Sequence, residues 1–595
     1  MQNYRAPIRD VLFSLCELHG NFPYPQAMSV AQGLGDDEAP MILEAIGKFA
    51  ERVLLPLNST GDREGAHWDN GKVTAPAGFK EAYKQYVDAG WPRLGHAEEY
   101  GGQPVQFSLK LASDEFLHSA NQAWCIYGLL NDGAIRTLRS HAEREQVDAF
   151  VPGLVSGEWI GTMCLTEPQC GSDLNLVRTR AEPAGNGRYR IYGNKMFISS
   201  GESDWADNIV HLILARLPDA PPGTRGISLF VVPKRLPAAD GSLGEVNNVH
   251  CLSIEDKMGL KGAATCAMSF DGAEGWLVGK PNRGLNCMFV FVNKSRVGVA
   301  LQGVAQAEAA YQESLAYAHT RLQGRAPGGM REPADPLVAH PDVRRMLLTQ
   351  RAIAEGGRAL VHLCGKWVDV VDSGDAVSRD EAEQRLALLT PIAKGLLTEL
   401  ASEATDLAIQ IFGGHGYIKE SGVEQRFRDV RITRIYEGTT GIQGMDLLGR
   451  KVLGPNRAVL DRFIDEIQAF CDTAVSEEIA SLQQRLQRAA TMWRELTDEL
   501  GREAGADAGL VGAVGVDYLM LSGYVTLGYL WAQTAAIAVR KLASGCEDPA
   551  FYRAKLQTAR FYFDKMLPRV ATHRACIESG TDVLSTDDAL RGATA

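Results

Sequence analysis

The sequence lacks the local patterns that identify an enzyme class by themselves. No GxGxxG follows a strand pattern, and the chain has no Walker loop, no GxSxG and no HExxH. These absences exclude the usual Rossmann, P-loop, α/β-hydrolase and zinc-protease sites. The eleven cysteines occur singly, without a CxxC pair or His-rich spacing, so we predict no metal site and a reduced protein.

Basic residues are scarce relative to acidic ones. The 595 residues include 61 Lys and Arg against 73 Asp and Glu, a formal net charge of -12, and residues 456–595 hold 15 against 19. A nucleic-acid-binding surface needs a basic excess, so we predict no nucleic-acid partner. The first residues carry Arg5, Arg9 and Asp10 without a long apolar run. We therefore expect no secretory signal and a cytoplasmic location.

Long uncharged runs are also rare, with one exception. Residues 518–539 contain no formal charge, and 22 residues of helix could cross a bilayer. Ser522, Thr526 and Gln533 interrupt this run, so we interpret it as a buried bundle helix. Membrane contact through this helix is the alternative.

Apolar periodicity divides the chain, which is too long for one core, into regions. Spacings of three and four residues predict helices up to residue 160 and again after 285, whereas β-branched, alternating runs between them predict a small antiparallel barrel or sandwich. We thus expect a mainly α protein with a central β domain. The predicted domains are an N-terminal extension (1–40), an N-terminal helical domain (41–160), the β domain (161–280), a helical bundle (281–452) and an extra C-terminal helical domain (453–595).

One carboxylate stands out in the stretch RITRIYEGTTGIQGMDLLGR. Glu437 lies between the aromatic Tyr436 and Gly438. Ile435 and Tyr436 are expected to exclude water from the carboxylate, which raises its pKa and makes it a stronger base toward a carbon acid. Gly438 lets a flat ligand approach the backbone. The alternative is a solvated turn before a helix that is capped by one of the two following threonines.

Two motifs of the β region could bind a planar heterocycle or a phosphate. In MCLTEPQCGSDLNLVRTRA, Thr166, Gly171 and Ser172 bring hydroxyl and main-chain N–H groups together on a loop. In KMFISSG, Phe197 and Ser199 are two apart and share one strand face. The alternatives are an ordinary turn and a core phenylalanine.

The bundle region offers polar residues near helix ends. NKSR places Asn293 and Arg296 one turn apart, and Arg321 follows at the end of that helix. QIFGGHGY ends another helix at a glycine pair, where a ligand could contact the backbone. The arginines could equally satisfy carbonyls or be solvated, and we interpret His415 as a loop or packing residue.

Taken together, the motifs resemble one family. TEPQCGSD, KMFISSG, IEDKMGLKG, Arg321, QIFGGHGY and RIYEGTTGIQ occur in the order and approximate spacing of the acyl-CoA dehydrogenases, over roughly residues 40 to 450. The length, the opening YRAPIRDVLF and the extra C-terminal helices are most similar to the large branch. That branch includes 3-methylmercaptopropionyl-CoA dehydrogenases and large bacterial fatty-acyl-CoA dehydrogenases.

The resemblance implies a bound FAD and an acyl-CoA substrate. Two subunits would complete each FAD site, so it also implies a homodimer. The cofactor-binding residues that it implies are Met163, Leu165, Thr166, Gly171, Ser172, Phe197 and Ser199 of one subunit, Arg321, Gln410 and Gly414 of a neighbour, and Thr439. Ser172, Asn293, Arg296, Tyr436 and Gly438 are the implied substrate-binding residues.

The resemblance further implies a reaction. Glu437 matches the catalytic base, which removes the α-proton of the thioester while the β-hydrogen leaves as hydride, giving a trans-2-enoyl-CoA. Electrons would pass to an electron-transfer flavoprotein, in fatty-acid β-oxidation or a related pathway. The alternatives are a 3-methylmercaptopropionyl-CoA dehydrogenase of dimethylsulfoniopropionate degradation, an oxidase that uses O2, and a non-catalytic acyl-CoA- or FAD-binding relative.

Overall fold

A computed structural model describes residues 3–20, 38–238, 242–329, 333–454, 457–473 and 476–584, with all their side chains except those of residues 129 and 289–293. The chain forms two compact units. The helical unit comprises residues 1–43, 107–115 and 299–595, and the mixed unit comprises residues 44–106 and 116–298.

The described residues form mostly helices. The α-helices are α1 Ile8–Leu12, α2 Glu38–Phe49, α3 Leu55–Glu64, α4 Phe79–Asp88, α5 Phe107–Ala120, α6 Gln122–Leu129, α7 Asn131–His141, α8 Arg144–Ser156, α9 Gly284–Thr320, α10 Pro341–Ser373, α11 Ala376–Phe412, α12 Val423–Val430, α13 Thr440–Met445, α14 Arg457–Cys471, α15 Glu477–Glu503, α16 Leu510–Ser544, α17 Pro549–Phe561 and α18 Arg569–Glu578. Four short π-helices extend or join them, at Phe13–Leu18, Ala50–Leu54, Asp446–Val452 and Tyr562–Met566.

The strands belong to the mixed unit. They are β1 His67–Asp69, β2 Lys72–Thr74, β3 Trp159–Cys164, β4 Arg180–Gly185, β5 Arg188–Ser199, β6 Asn208–Arg216, β7 Ile227–Pro233, β8 Arg235–Pro237, β9 Leu243–Val246, β10 Val249–Ile254 and β11 Thr265–Val278. A seven-stranded sheet has the order β10-β11-β5-β4-β6-β3, and β7 pairs with both β6 and β11. These pairings close the sheet into the predicted small barrel.

The expectation of a purely antiparallel barrel is wrong. β3 pairs with β6 in parallel over six residues, and β4 meets β6 in parallel at Arg180 and Arg216. A parallel pair needs a long connection, and the chain between β3 and β6 is long enough because it runs through β4 and β5. The alternation of apolar and polar residues shows which face of a strand is buried. It does not show whether the neighbouring strand runs parallel or antiparallel.

The helical unit contains a bundle built from α9, α10, α11 and α12. Apolar side chains such as Ile353, Leu360 and Leu396 are at most 1% exposed, as expected when one face of each helix packs inward. Asp375 caps α11 and accepts hydrogen bonds from the backbone N–H groups of Val377 and Ser378. A side-chain acceptor at this position satisfies N–H groups that have no partner inside the helix.

Helix α16 forms the centre of the C-terminal helices. It contains the uncharged run 518–539 and is the one helix within the described ranges that is long and apolar enough to cross a membrane; 72% of its most apolar window is buried inside the protein. A Cβ on Gly395 of α11 would lie 2.5 Å from Leu519, and one on Gly444 of α13 would lie 2.6 Å from the Gly515 backbone. α16 therefore packs directly against the bundle, as expected for a core helix.

A buried ionic cluster joins the N-terminal segment to this unit. The Arg358 guanidinium is fully buried and contacts the carboxylates of Asp10, Glu115 and Glu308. Lys555 of α17 contacts Asp10 as well as Glu355, the latter at 2.9 Å. Through Asp10, residues 8–12 thus interact with α5, α9, α10 and α17 in a largely buried ionic cluster.

Some boundaries differ from the prediction. Within the region predicted to be helical, the chain from Asp132 to Val155 forms two helices rather than one, because Ala142 and Glu143 have extended backbone and Glu143 begins α8 with a capping box. The hairpin β1–β2 lies in a region predicted to be helical, and its strands are too short for a periodicity to show. Residues 585–595 of the predicted C-terminal helical domain lie outside the described residues.

Candidate active site

In the barrel, one buried ion pair anchors the TEPQCGSD loop to the KMFISSG strand. Lys195 Nζ donates to Glu167 Oε1 at 2.8 Å and to the Leu165 carbonyl oxygen at 3.0 Å. Glu167 also accepts from the hydroxyl and backbone N–H of Thr179. The Met196 N–H donates to the Thr166 carbonyl oxygen at 3.0 Å. The two motifs are therefore held side by side. No pattern in the sequence indicates the roles of Glu167 and Lys195 in this contact.

The ion pair predicts how barrel stability depends on pH. Burial alone would raise the pKa of Glu167, but Lys195 and the hydrogen bonds to the carboxylate lower it from 4.5 to about 2. A lowered folded-state pKa stabilises the fold above pH 4.5, and this contribution is lost as the pH falls toward 2. We expect the excess stability of the wild type over Glu167→Gln to shrink between pH 5 and pH 2 in urea titrations. An excess that stays constant across that range would contradict this assignment.

Beside this anchor lies an exposed aromatic ring. Phe197 is 58% exposed and has a φ of +58°, which is uncommon for a residue with a side chain. Between the pairs Lys195–Met268 and Ile198–Cys266, β5 contains two residues and β11 contains one, so β5 forms a bulge that redirects this ring. Ser199 is partly exposed on the same strand. The sequence predicted the residues but not the bulge.

The remaining predicted cofactor residues of the barrel lie at the end of β3 and on the loop that follows it. Met163, Leu165 and Thr166 are partly buried, and Gly171 and Ser172 are exposed. A Cβ on Gly171 would meet no atom within 4 Å. The loop backbone is thus open to a ligand at this point.

In the helical unit, Glu437 lies in a strained turn just before α13. Its φ is +55° and that of Gly438 is +91°. A left-handed glutamate costs about 1–3 kcal/mol and persists only when the surroundings hold it. Thr439 caps α13, and its hydroxyl accepts a hydrogen bond from the Ile442 N–H at 3.3 Å. It is one of the two threonines that the sequence offered as the N-cap.

Buried side chains of the bundle hold this turn. Lys394 of α11 is fully buried and donates to the Gly438 carbonyl oxygen at 2.6 Å. Gln443 is also fully buried and donates to the Glu437 carbonyl oxygen at 3.1 Å. The Tyr436 hydroxyl donates to Gln302 of α9. Neither Lys394 nor Gln443 was predicted. Lys394 reaches the turn from α11, which leaves no local pattern, and Gln443 lies on α13 beside the turn, where the sequence does not show that its side chain folds back onto the backbone.

Glu399 fixes the turn from its two flanks. One carboxylate oxygen accepts from the Thr440 hydroxyl at 2.6 Å, and the other lies 2.5 Å from Arg434. Ile435 was predicted to exclude water from the Glu437 carboxylate. This prediction is wrong for the chain as described, because the Ile435 side chain is 50% exposed. Its neighbours in the turn are held by polar contacts to α9 and α11, which leaves the Ile435 side chain at the surface.

The cofactor-binding residues predicted for the bundle, Arg321, Gln410 and Gly414, lie at one end of it. Tyr317, one turn before Arg321, stacks on Phe412 with ring centroids 4.1 Å apart. This contact brings the end of α9 to the QIFGGHGY turn, where Gln410 and Gly414 are exposed, as is Arg321. A Cβ on Gly414 would meet no atom within 4 Å. Tyr317 was not singled out in the sequence.

Two of the predicted substrate residues belong to α9. Arg296 is partly buried on α9. Asn293 belongs to the same helix, but its side chain lies outside the described residues. Their predicted roles stay predictions.

His415 is exposed and its Nδ1 lies 3.4 Å from the Tyr317 hydroxyl, which fits a loop position.

Comparison with known proteins defines the class to which this fold and these motifs belong. Residues 36–158, 162–273 and 282–453 match the N-terminal, middle and C-terminal domain models of acyl-CoA dehydrogenases, and residues 463–586 match an acetyl-CoA dehydrogenase C-terminal-like domain. The chain belongs to the acyl-CoA dehydrogenase family, and it is an oxidoreductase that acts on CH–CH bonds.

Full-length relatives place it in the large branch. It is 42% identical to the 3-methylmercaptopropionyl-CoA dehydrogenase of Ruegeria pomeroyi, over 98% of this chain and 99% of that protein. It is 33% identical to the broad-specificity linear acyl-CoA dehydrogenase FadE5 of Mycobacterium tuberculosis, over 99% and 100%. The fold matches Caenorhabditis elegans ACDH-11, solved in complex with C11-CoA, with a TM-score of 0.77 at 18% identity, over 98% and 96%.

Members of this family are FAD-dependent flavoproteins, and the residues described above fit such a cofactor. The exposed Phe197 ring can stack on a flat ring system. The open backbone at Gly171 and at Gly414 leaves room where a Cβ would otherwise stand, and the exposed Arg321 can pair with a pyrophosphate. These features are compatible with a bound flavin nucleotide, and the roles of the individual residues stay predictions.

Proposed function

We propose that the protein converts an acyl-CoA thioester to its trans-2-enoyl-CoA, with Glu437 as the base. The strained Glu437 turn, held by Lys394 and Gln443, is the observation that carries this proposal. A backbone conformation that costs free energy and is fixed by buried donors is typical of a functional residue. Bound FAD supplies the acceptor for the β-hydrogen and its electron pair.

The chain's own groups would perform the rest. The Glu437 carboxylate takes the α-proton, and the electron pair of that C–H bond forms the new C2–C3 double bond as the β-hydrogen leaves. A thioester α-proton is only weakly acidic, so the developing negative charge on the thioester oxygen needs a hydrogen-bond donor. We assign this role to the main-chain N–H of Glu437. Gly438 leaves space for the thioester beside the backbone.

Fixing the base in place should contribute measurably to the rate. We expect Lys394→Met to lower kcat by about 10- to 100-fold, because losing a charged hydrogen bond costs about 1.5–3 kcal/mol and relaxes the turn. Steady-state assays with an artificial electron acceptor measure this effect. Lys419→Met removes an exposed lysine and is the control. A Lys394→Met enzyme with wild-type kcat would show that the hydrogen bond to Gly438 does not position the base.

For the substrate, the 42% identity over nearly the whole chain favours 3-methylmercaptopropionyl-CoA. A panel of butanoyl-, pentanoyl-, octanoyl-, palmitoyl- and 3-methylmercaptopropionyl-CoA, followed anaerobically at the flavin absorbance maximum, tests this proposal. Pentanoyl-CoA is the matched control because it replaces the thioether sulfur by a methylene. Faster bleaching by the thioether supports this substrate, and a preference for a longer straight chain supports a fatty-acyl-CoA dehydrogenase. A flavin that no thioester bleaches would reject the reaction itself.

We further propose a cytoplasmic homodimer that reduces an electron-transfer flavoprotein. All eleven cysteines lie in described residues and are free thiols, which supports a reducing compartment. Arg321, Gln410 and Gly414 are exposed, and Tyr417 beside them is 86% exposed, so this end of the bundle is available to a second subunit. Light scattering of the holoenzyme gives the oligomeric state, and a monomer that retains full FAD content would reject the shared site.

A further inference from the structure

Gln302 of α9 is a fully buried amide that uses only one of its two polar atoms within the described residues. Its Oε1 accepts the hydrogen bond from the Tyr436 hydroxyl, and its Nε2 is buried without a hydrogen-bond partner. A buried donor without a partner costs free energy. An apolar residue of similar shape would avoid that cost, so packing alone does not account for the amide at this position.

Close packing of α9 on α11 fixes the place of Gln302. A Cβ on Gly303, the next residue, would lie 2.9 Å from the Leu397 carbonyl oxygen and 3.3 Å from the Ala401 Cβ. Both of these residues belong to α11, which also carries Lys394 one turn earlier. Gln302 and Lys394 therefore stand on two helices whose backbones pack at close distance, which gives both side chains a rigid base.

These two helices hold Glu437 from opposite sides along the chain. Lys394 donates to the Gly438 carbonyl oxygen and so fixes the main chain that follows the glutamate. On the preceding side, the Tyr436 side chain reaches Gln302 through its hydroxyl. The φ of Glu437 is +55°, and such a conformation persists only when the surroundings hold it. Gln302 contributes to that hold from the preceding side.

A second side-chain contact on the preceding side lies nearer to water. Arg434 pairs with Glu399, and their side chains are 32% and 20% exposed. Water competes for such a pair and weakens it. The Gln302 amide is fully buried, so its hydrogen bond to Tyr436 meets less competition and is the firmer of the two contacts.

We propose that Gln302 is a positioning residue for the base. By holding the Tyr436 hydroxyl, it keeps the Glu437 carboxylate in the orientation from which it takes the α-proton. Gln302 acts through Tyr436 and needs no contact with the thioester. Its effect on the rate rests on the proposed function, whereas its effect on the conformation of the turn does not.

A double-mutant cycle with Gln302→Met and Tyr436→Phe tests the effect on the rate. Each substitution removes one partner of the hydrogen bond and nearly keeps the shape of the side chain. We expect each to lower kcat by about 3- to 10-fold, the range that corresponds to one neutral hydrogen bond. The double variant should lose no more than the larger single loss, because the two residues act through one contact. A residue that only supports the fold would give losses that multiply.

Hydrogen exchange followed by mass spectrometry tests the anchor without any substrate. In peptides that cover residues 432–440, the backbone N–H groups of the Gln302→Met holoenzyme should exchange at least about threefold faster than those of the wild type. Tyr436→Phe should show the same increase. It removes a single oxygen atom, so it still provides the comparison if Gln302→Met does not fold.

Gln350→Met is the matched control for the loss of a buried amide. Gln350 of α10 is also fully buried with one unpartnered atom, and its hydrogen bonds go to Ser314 and to the Ala404 carbonyl oxygen. The control should keep the wild-type kcat and the wild-type exchange in residues 432–440, even if its melting temperature falls.

The outcomes separate this inference from the proposed reaction. Unchanged exchange in Gln302→Met and Tyr436→Phe would overturn the anchor. A wild-type kcat in both variants, or losses that multiply, would overturn the positioning of the base. If the reaction itself is wrong, no thioester bleaches the wild-type flavin, and the exchange rates still decide whether Gln302 holds the turn.

Discussion

Glu437→Gln is expected to lower kcat by up to about 10⁴-fold, while the protein keeps its FAD and its fold. The amide has nearly the shape of the carboxylate but cannot take a proton, and a positioned general base contributes about 10²–10⁴-fold. Because Lys394 and Gln443 hold the turn through main-chain oxygens, the substitution leaves their contacts in place. The loss should therefore appear in kcat rather than in FAD binding.

Single-turnover bleaching of the bound flavin measures this effect directly. Glu420→Gln, which alters an exposed glutamate between α11 and α12, is the matched control and should behave like the wild type. Glu437→Asp retains an acid on a shorter side chain and should keep part of the activity. If Glu437→Gln bleached the flavin at the wild-type rate, another group would have to remove the proton, and the strained turn would have no functional explanation.

Arg358→Met is expected to destabilise the protein by about 3–5 kcal/mol. The guanidinium is fully buried among Asp10, Glu115 and Glu308, and removing one partner of a buried ionic group leaves charges without compensation. Burial already raises the pKa of Glu115 despite the attraction of Arg358. In the variant the carboxylates should take up protons, and the lost stability should be partly recovered at lower pH.

Thermal and urea unfolding measure this loss. Arg345→Met is the control, because Arg345 is on the same helix, is half exposed and pairs with an exposed Asp342; such pairs contribute at most about 1 kcal/mol. The chain has two compact units, so the transitions should be followed with several probes. Equal midpoints for the two variants would mean that the cluster is neutral for stability, as some buried ion pairs are when replaced by apolar groups.

The sequence predicted the fold to the extent that local patterns determine it. The helical regions, the central barrel and the buried helix around residues 518–539 follow from periodicity and composition. The parallel pairing of β3 with β6 does not, because it depends on contacts between segments far apart in the chain. The division of residues 132–155 into two helices depends on a capping box formed by Glu143 and Gln146. These residues are visible in the sequence, but the apolar periodicity continues across them and does not indicate the break.

The same limit applies to the site. Glu437, Tyr436 and Gly438 are readable because their chemistry is local, and the motif order made the family recognisable. The donors that fix the turn, Lys394 and Gln443, were not predicted. A local sequence pattern does not show that these side chains are buried or that they point to the backbone of the turn. The exposure of Ile435 shows the converse: an apolar residue next to a carboxylate does not by itself determine which side chain water reaches.

The position of α16 also has a consequence for synthesis on the ribosome. Gly395 and Gly444, on either side of Glu437 in the sequence, are packed against Leu519 and Gly515. The ribosome makes the chain from its N-terminus at about 5–20 residues per second, so the Glu437 turn is made some seconds before the helix that packs against its neighbours. Until α16 has been made, the apolar surface of the bundle that it covers remains exposed. A fragment that ends after residue 453 would keep this surface exposed and would be a substrate for chaperones.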